Sequence, residues 1–191
     1  MPSRAAIIAQ LRAHLADVAP HRGVHQHAAT GLPKLDAAIG GWPTPGVTAV
    51  HGPVGTGRLR LVLPTLQRHT QDQRTIAIVD AMGWLHPPGL PGVDLRYLML
   101  VRPGSARAAW ATTQLAGSGA TPITVLLDPP RLGREGLRLV RASQSGHSTV
   151  LVLSESRDID LPAQLRVEVL GHGRGRAQAS GISMEFDLDG R

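Results

Sequence analysis

Gly52-Pro53-Val54-Gly55-Thr56-Gly57-Arg58-Leu59 comes nearest to chemistry in residue type and spacing. A phosphate-binding loop runs Gly, four residues, Gly, Lys, then Ser or Thr, between a strand and a helix. Gly52, Gly55 and Gly57 are in place, so the backbone N–H groups can turn toward an anion at a helix start. The two reactive side chains are replaced. Arg58 stands at the lysine position, and a guanidinium fork does not slot between two phosphates as an ammonium does. Leu59 stands at the hydroxyl position and offers no oxygen to Mg²⁺. Asp128 ends the apolar run Thr-Val-Leu-Leu-Asp, the usual place for the acid that holds a metal's water shell. His21, His25 and His27 fall in one stretch, but its composition promises no preformed geometry, so no metal site is expected. The absence of cysteine excludes disulfides, thiolate zinc sites and cysteine nucleophiles.

The elements that must position these residues alternate between strand and helix. Val47–His51 reads as a strand, residues 57–71 as a helix interrupted by Pro64, and Thr75–Asp80 as a buried strand. Leu95–Val101, Thr124–Asp128 and Thr149–Leu153 read as further strands. Helices are expected over Ser105–Leu115, carrying Trp110, and over Leu132–Ser143, with Leu137 and Val140 inward. This order predicts an α/β fold with a mostly parallel twisted sheet flanked by helices. The end differs: Leu165–Leu170 and Ile182–Leu188 alternate around a Gly-rich stretch, predicting an antiparallel hairpin with a long mobile tip. Arg174 and Arg176 sit in that tip and could contact DNA phosphates.

At the N-terminus, residues 3–18 predict an amphipathic helix, with Ile7, Leu11, Leu15 and Val18 on one face as a candidate partner-docking stripe. Residues 19–29 read as a linker and residues 30–190 as the core domain. A chain of 191 residues fits one domain with a sizeable core. Aromatic residues make up 3% of it, too few for a base-stacking platform. The net charge of +6 permits nucleic-acid contact without identifying it. No apolar run is long enough for a membrane span and no signal peptide is evident, so a cytoplasmic protein without membrane partners is expected.

Thr30-Gly31-Leu32-Pro33-Lys34-Leu35-Asp36, then Gly40-Gly41-Trp42-Pro43 and Gly46, precede the Gly loop. Gly92-Val93-Asp94 and Ser118-Gly119-Ala120 lead on to the strand ending at Asp128. With these ordered motifs the chain resembles the RecA-like ATPase superfamily over most of residues 30–153. The resemblance implies a catalytic Glu after Asp80-Ala81, where Met82 stands, and an Asn-Gln sensor where Ser154-Glu155 stand. It also implies long DNA-binding loops, for which the connection from Ser154 to Leu165 is too short. Within the superfamily the chain is similar to the ImuA branch. That likeness implies a non-catalytic accessory subunit of a damage-induced translesion synthesis complex, with no ATP or Mg²⁺ cofactor. The partners it implies are an ImuB-like relative of Y-family polymerases, RecA, or a second copy through the N-terminal helix. Direct DNA contact stays open. Two alternatives stand beside this reading: an ATP-binding switch or motor with an atypical loop, and a SulA-like cell-division inhibitor.

Overall fold

The structure is a computed structural model that describes residues 26–179 and 182–189. The expected helix over 3–18, with Ile7, Leu11, Leu15 and Val18, lies outside the described residues, as do His21 and His25.

The elements follow in chain order. They are β1 (Gln26–Ala28), α1 (Pro33–Ile39), β2 (Trp42–Thr44), β3 (Gly46–His51), α2 (Arg58–Gln71), β4 (Ile76–Asp80) and β5 (Leu98–Val101). Then come α3 (Ser105–Ser118), β6 (Ile123–Leu127), α4 (Arg134–Ser145), β7 (Thr149–Ser154), β8 (Leu165–Gly171), β9 (Arg174–Ala179) and β10 (Ile182–Asp187). The main sheet has eight strands in the order β10-β9-β8-β3-β7-β6-β4-β5. Strands β5 through β8 run parallel, and β9 and β10 are antiparallel additions.

Burial on both faces explains the apolar runs of the central strands. On one face, Val50, Ile76, Ile78, Val125 and Leu151 pack against Leu35 of α1 and Leu61, Val62 and Leu66 of α2. On the other, Val47, Ala49, Val79, Leu126 and Val152 pack against Ala108 and Ala111 of α3 and Leu139 and Ala142 of α4. Pro64 lies inside α2 without ending it. Gly31 passes beside it so closely that a Cβ there would sit 2.9 Å from the Pro64 Cβ. The helix is then clamped by a buried polar chain: the Trp42 indole N–H donates to Thr65 Oγ1 at 2.8 Å, and that hydroxyl donates to the Thr30 carbonyl at 2.8 Å.

Several expectations are corrected. The end of the 19–29 linker is structured, because Gln26–Ala28 pairs antiparallel with Trp42–Thr44. Residues Leu95–Tyr97 form a 3-10 turn, capped by the Asp94 carboxylate accepting from the Arg96 N–H, and the strand begins at Leu98. Leu137 faces solvent at 55% exposure, and Leu139 is the buried leucine of α4. The stripe that meets the sheet is Gly136, Leu139, Ala142 and Ser143. Last, the expected C-terminal antiparallel pairing is present, but its mobile tip is not: in this three-stranded meander the supposed tip is a strand, β9, between β8 and β10. Gly175 and Ala177 supply its buried face. A Cβ on Gly175 would lie 2.4 Å from Cζ of Phe186, so glycine makes room for that ring.

Candidate functional site

In open α/β sheets ligands gather beyond the carboxyl ends of the strands, where the strand order reverses. Here β3 is that point: the chain leaves it for β4, which lies beyond β7 and β6. Gly52-Pro53-Val54-Gly55-Thr56-Gly57 turns from the end of β3 into the start of α2. A Cβ on Gly52 would lie 2.5 Å from the Val169 carbonyl oxygen, so the loop needs glycine there to pass β8. Gly55 (φ 82°) and Gly57 (φ 97°) adopt left-handed backbone, which residues with a Cβ resist. The Thr56 hydroxyl donates to the Pro53 carbonyl at 2.8 Å, and the Thr56 N–H donates to the same oxygen at 3.3 Å. The turn is therefore glycine-dependent and is closed in part by its own Thr56–Pro53 hydrogen bonds.

The side chains around it make a different site. Arg58, in the first turn of α2, is 9% exposed, and its guanidinium Nη1 donates to Asp128 Oδ1 at 2.5 Å. The structure thus joins the residue at the lysine position to the residue at the metal-acid position. Asp128 is fixed from the other side as well: its N–H donates to the Leu153 carbonyl at 2.8 Å, and its φ is 40°. Leu59 lines the same cleft of about 330 Å³, with Arg60, Leu127 and Leu153.

Asp80, at the end of β4, is buried and folds the next loop onto itself. Its two oxygens accept the N–H groups of Gly83 and Leu85, both at 2.8 Å. Arg102 Nε approaches the same carboxylate at 3.6 Å. This loop holds Met82 at the cleft rim, exposed beside Trp84, which is 73% exposed. Val54, Met82, Trp84, Asp128 and Glu155 line an adjoining hollow. The Ser154 hydroxyl donates to the Ser156 carbonyl at 2.7 Å and closes the short turn there. Periodicity reasoning passed over Trp84 because no helix or strand pattern surrounds it; its position two residues after Met82 was the available signal.

The remaining expected site residues lie apart. Arg174 and Arg176 sit on β9 and not on a free tip, and Arg176 approaches Glu185 at 3.3 Å and Glu168 at 3.9 Å. His27 Nδ1 lies 3.3 Å from the Gly41 carbonyl, in the small β1–β2 sheet. Arg131 pairs with Asp158 and Asp160, each at 2.8 Å, and ties the connection after β6 to the one after β7. Among the described residues no helix is long and apolar enough to cross a membrane.

No protein-family model matches the chain. It is 32% identical over 106 residues to protein RecA of Chlorobium chlorochromatii, a match covering 53% of this chain and 30% of that protein. It is 32% identical over 102 residues to protein RecA of Chlorobaculum parvum, covering 51% of this chain and 29% of that protein. The matched stretch thus spans less than a third of these curated relatives. Among solved structures, the RadB recombinase superposes with a TM-score of 0.63 at 19% identity, covering 85% of this chain and 97% of that one. The chain is thus similar in sequence to part of two RecA proteins over about half its own length, and in fold to the RadB recombinase over most of it.

Proposed function

We propose that this chain is a non-catalytic RecA-like subunit that works through protein contacts in damage-induced translesion synthesis, as ImuA proteins do. The observation that carries this reading is the Arg58–Asp128 pair at 2.5 Å. In a RecA-type ATPase the basic residue reaches for phosphate and the acid holds the water of a magnesium ion. Here the two charges neutralise each other, and the next side chain is Leu59. These residues do not fit a magnesium nucleotide. Losing one transition-state contact commonly costs 10²–10³ in rate, about 3–4 kcal/mol. The chain lacks the lysine, the hydroxyl and the glutamate together.

Exposed apolar side chains around the cleft support a contact role. Val54, Met82 and Trp84 ring it, where a hydrolase would place polar groups. Exposed apolar groups gathered in one patch mark interaction surfaces. The proposed partners are an ImuB-like relative of Y-family polymerases and RecA. The stripe Ile7, Leu11, Leu15 and Val18 serves as a second contact, to RecA or to another copy.

The test is co-purification of the full chain with each proposed partner. Met82→Glu/Trp84→Glu and Leu11→Asp/Leu15→Asp are each expected to weaken capture at least tenfold without a change in melting temperature. Capture of neither partner by the unaltered chain defeats the reading. A second reading, a nucleotide-binding switch, is favoured by the retained left-handed Gly55 and Gly57. It requires a saturable response to nucleotide, which the first reading excludes.

A further inference from the structure

Beyond the last helix-covered strand the sheet continues with one face open. The apolar core beneath α3 and α4 takes residues from β3, β4, β6 and β7, and none from β8, β9 or β10. Register places polar side chains on that face in two neighbouring rows. His51, Glu168, Arg176 and Glu185 are Cα partners across β3, β8, β9 and β10. Ala49, Arg166, Gln178 and Ser183 form the next row. Arg157, from the connection after β7, reaches over both rows and donates to Gln178 Oε1 at 3.2 Å. All of these side chains except Ala49 and Glu185 line a half-open cavity of about 220 Å³.

Two features of that cavity point to a ligand. Its wall carries three guanidinium groups, Arg157, Arg166 and Arg176, against Glu168, with Glu185 3.3 Å from Arg176 at its outer edge. Arg166 is held in place by donating to the Leu161 carbonyl. The second feature is His51. It is 6% exposed and lines the cavity, yet its ring makes no hydrogen bond among the described residues. We propose that this cavity binds a phosphate group, with Arg157, Arg166 and Arg176 as charged donors and the His51 ring as the innermost one.

Guanidinium forks match the oxygens of phosphate, and hydrogen bonds to them are charge-assisted. Ser183 adds a hydroxyl donor at the rim. Burial lowers the His51 pKa; Glu168 opposes this, while Arg157 and Arg166 add to it. The ring is therefore neutral near pH 7 and offers one N–H. The volume leaves room for a tetrahedral anion and a few waters, at about 30 Å³ per water. This site is separate from the Gly loop and does not rest on the proposed loss of ATP chemistry.

The experiment is an NMR titration of the full chain that follows the His51 ring signals, with inorganic phosphate as ligand and sodium chloride at matched ionic strength as control. The expected result is a saturable shift with phosphate alone. Arg157→Ala/Arg176→Ala, two exposed positions, should weaken it at least tenfold. Gln178→Glu, which places a second carboxylate in the cavity, should abolish it. No saturable shift overturns the proposal, and so does an unchanged titration in a folded variant. A 5′-phosphorylated oligonucleotide then identifies the source. Saturation at tenfold lower concentration assigns the phosphate to a nucleic-acid end, and equal concentrations assign it to a free or small-molecule phosphate.

Discussion

At the scale of single residues, the proposed reading rests first on the contact between Arg58 and Asp128. The Arg58 side chain is 10% exposed and that of Asp128 is 32% exposed, so removing the acid strands a largely buried guanidinium. A hydrogen bond between charged groups contributes about 1.5–3 kcal/mol, less where one partner meets solvent. Asp128→Ala should therefore destabilise the fold by about 1–2 kcal/mol. For a domain of this size that lowers Tm by roughly 2–8 °C. Replacing both partners, as Arg58→Met/Asp128→Leu, should recover most of the loss, because an apolar pair leaves no charge unpaired. Thermal melts of the three variants check this. Buried histidines set a second expectation. The pKa values of His51 and His69 are lowered chiefly by burial. The unfolded chain then binds more protons than the folded one just below the ordinary value of about 6.5. Stability is full above that pH and falls as the pH drops through the lowered values. Melts from pH 7.5 to 5.0 should show Tm declining on the acid side, and His69→Gln should flatten the decline.

At the scale of elements, α2 carries the site, and its seating depends on a polar chain through the core. Thr65 Oγ1 accepts from the Trp42 indole and donates to the Thr30 carbonyl. Thr65→Val keeps the shape and removes both bonds, leaving a buried N–H and a carbonyl unpaired. The expected cost is about 2–4 kcal/mol, read as a drop in the denaturant midpoint without a change in m. The parallel strands and α2, α3 and α4 were legible in the sequence because long apolar or periodic runs signal burial. The meander was half legible. Leu165–Leu170 alternates large apolar residues with polar ones, but β9 buries only Gly175 and Ala177. Small residues give no hydrophobic period, so the strand passed for a loop until Phe186 was placed over Gly175. The Gly loop, Arg58, Leu59, Met82 and Asp128 were all legible as positions. Their joining was not, because the reach of Arg58 to a residue 70 positions away depends on the order of the strands.

At the scale of the whole molecule, the chain has a sheet like that of the RadB recombinase, and the Arg58–Asp128 pair sits at the carboxyl end of its central strands. The exposed Val54, Met82 and Trp84 and the arginine-lined face of β8–β10 lie on either side of the Gly loop's parent strand β3. A fold does not fix a function, and on the proposed reading this one serves through the surfaces it displays. The central claim is that the Arg58–Asp128 pair shuts the site to magnesium nucleotide. Calorimetric titration of the full chain with Mg·ATP, with phosphate release followed in the same sample, tests it most directly. The account predicts no binding in the low-micromolar range and no phosphate release. Micromolar binding with turnover that disappears in Asp128→Ala would contradict it.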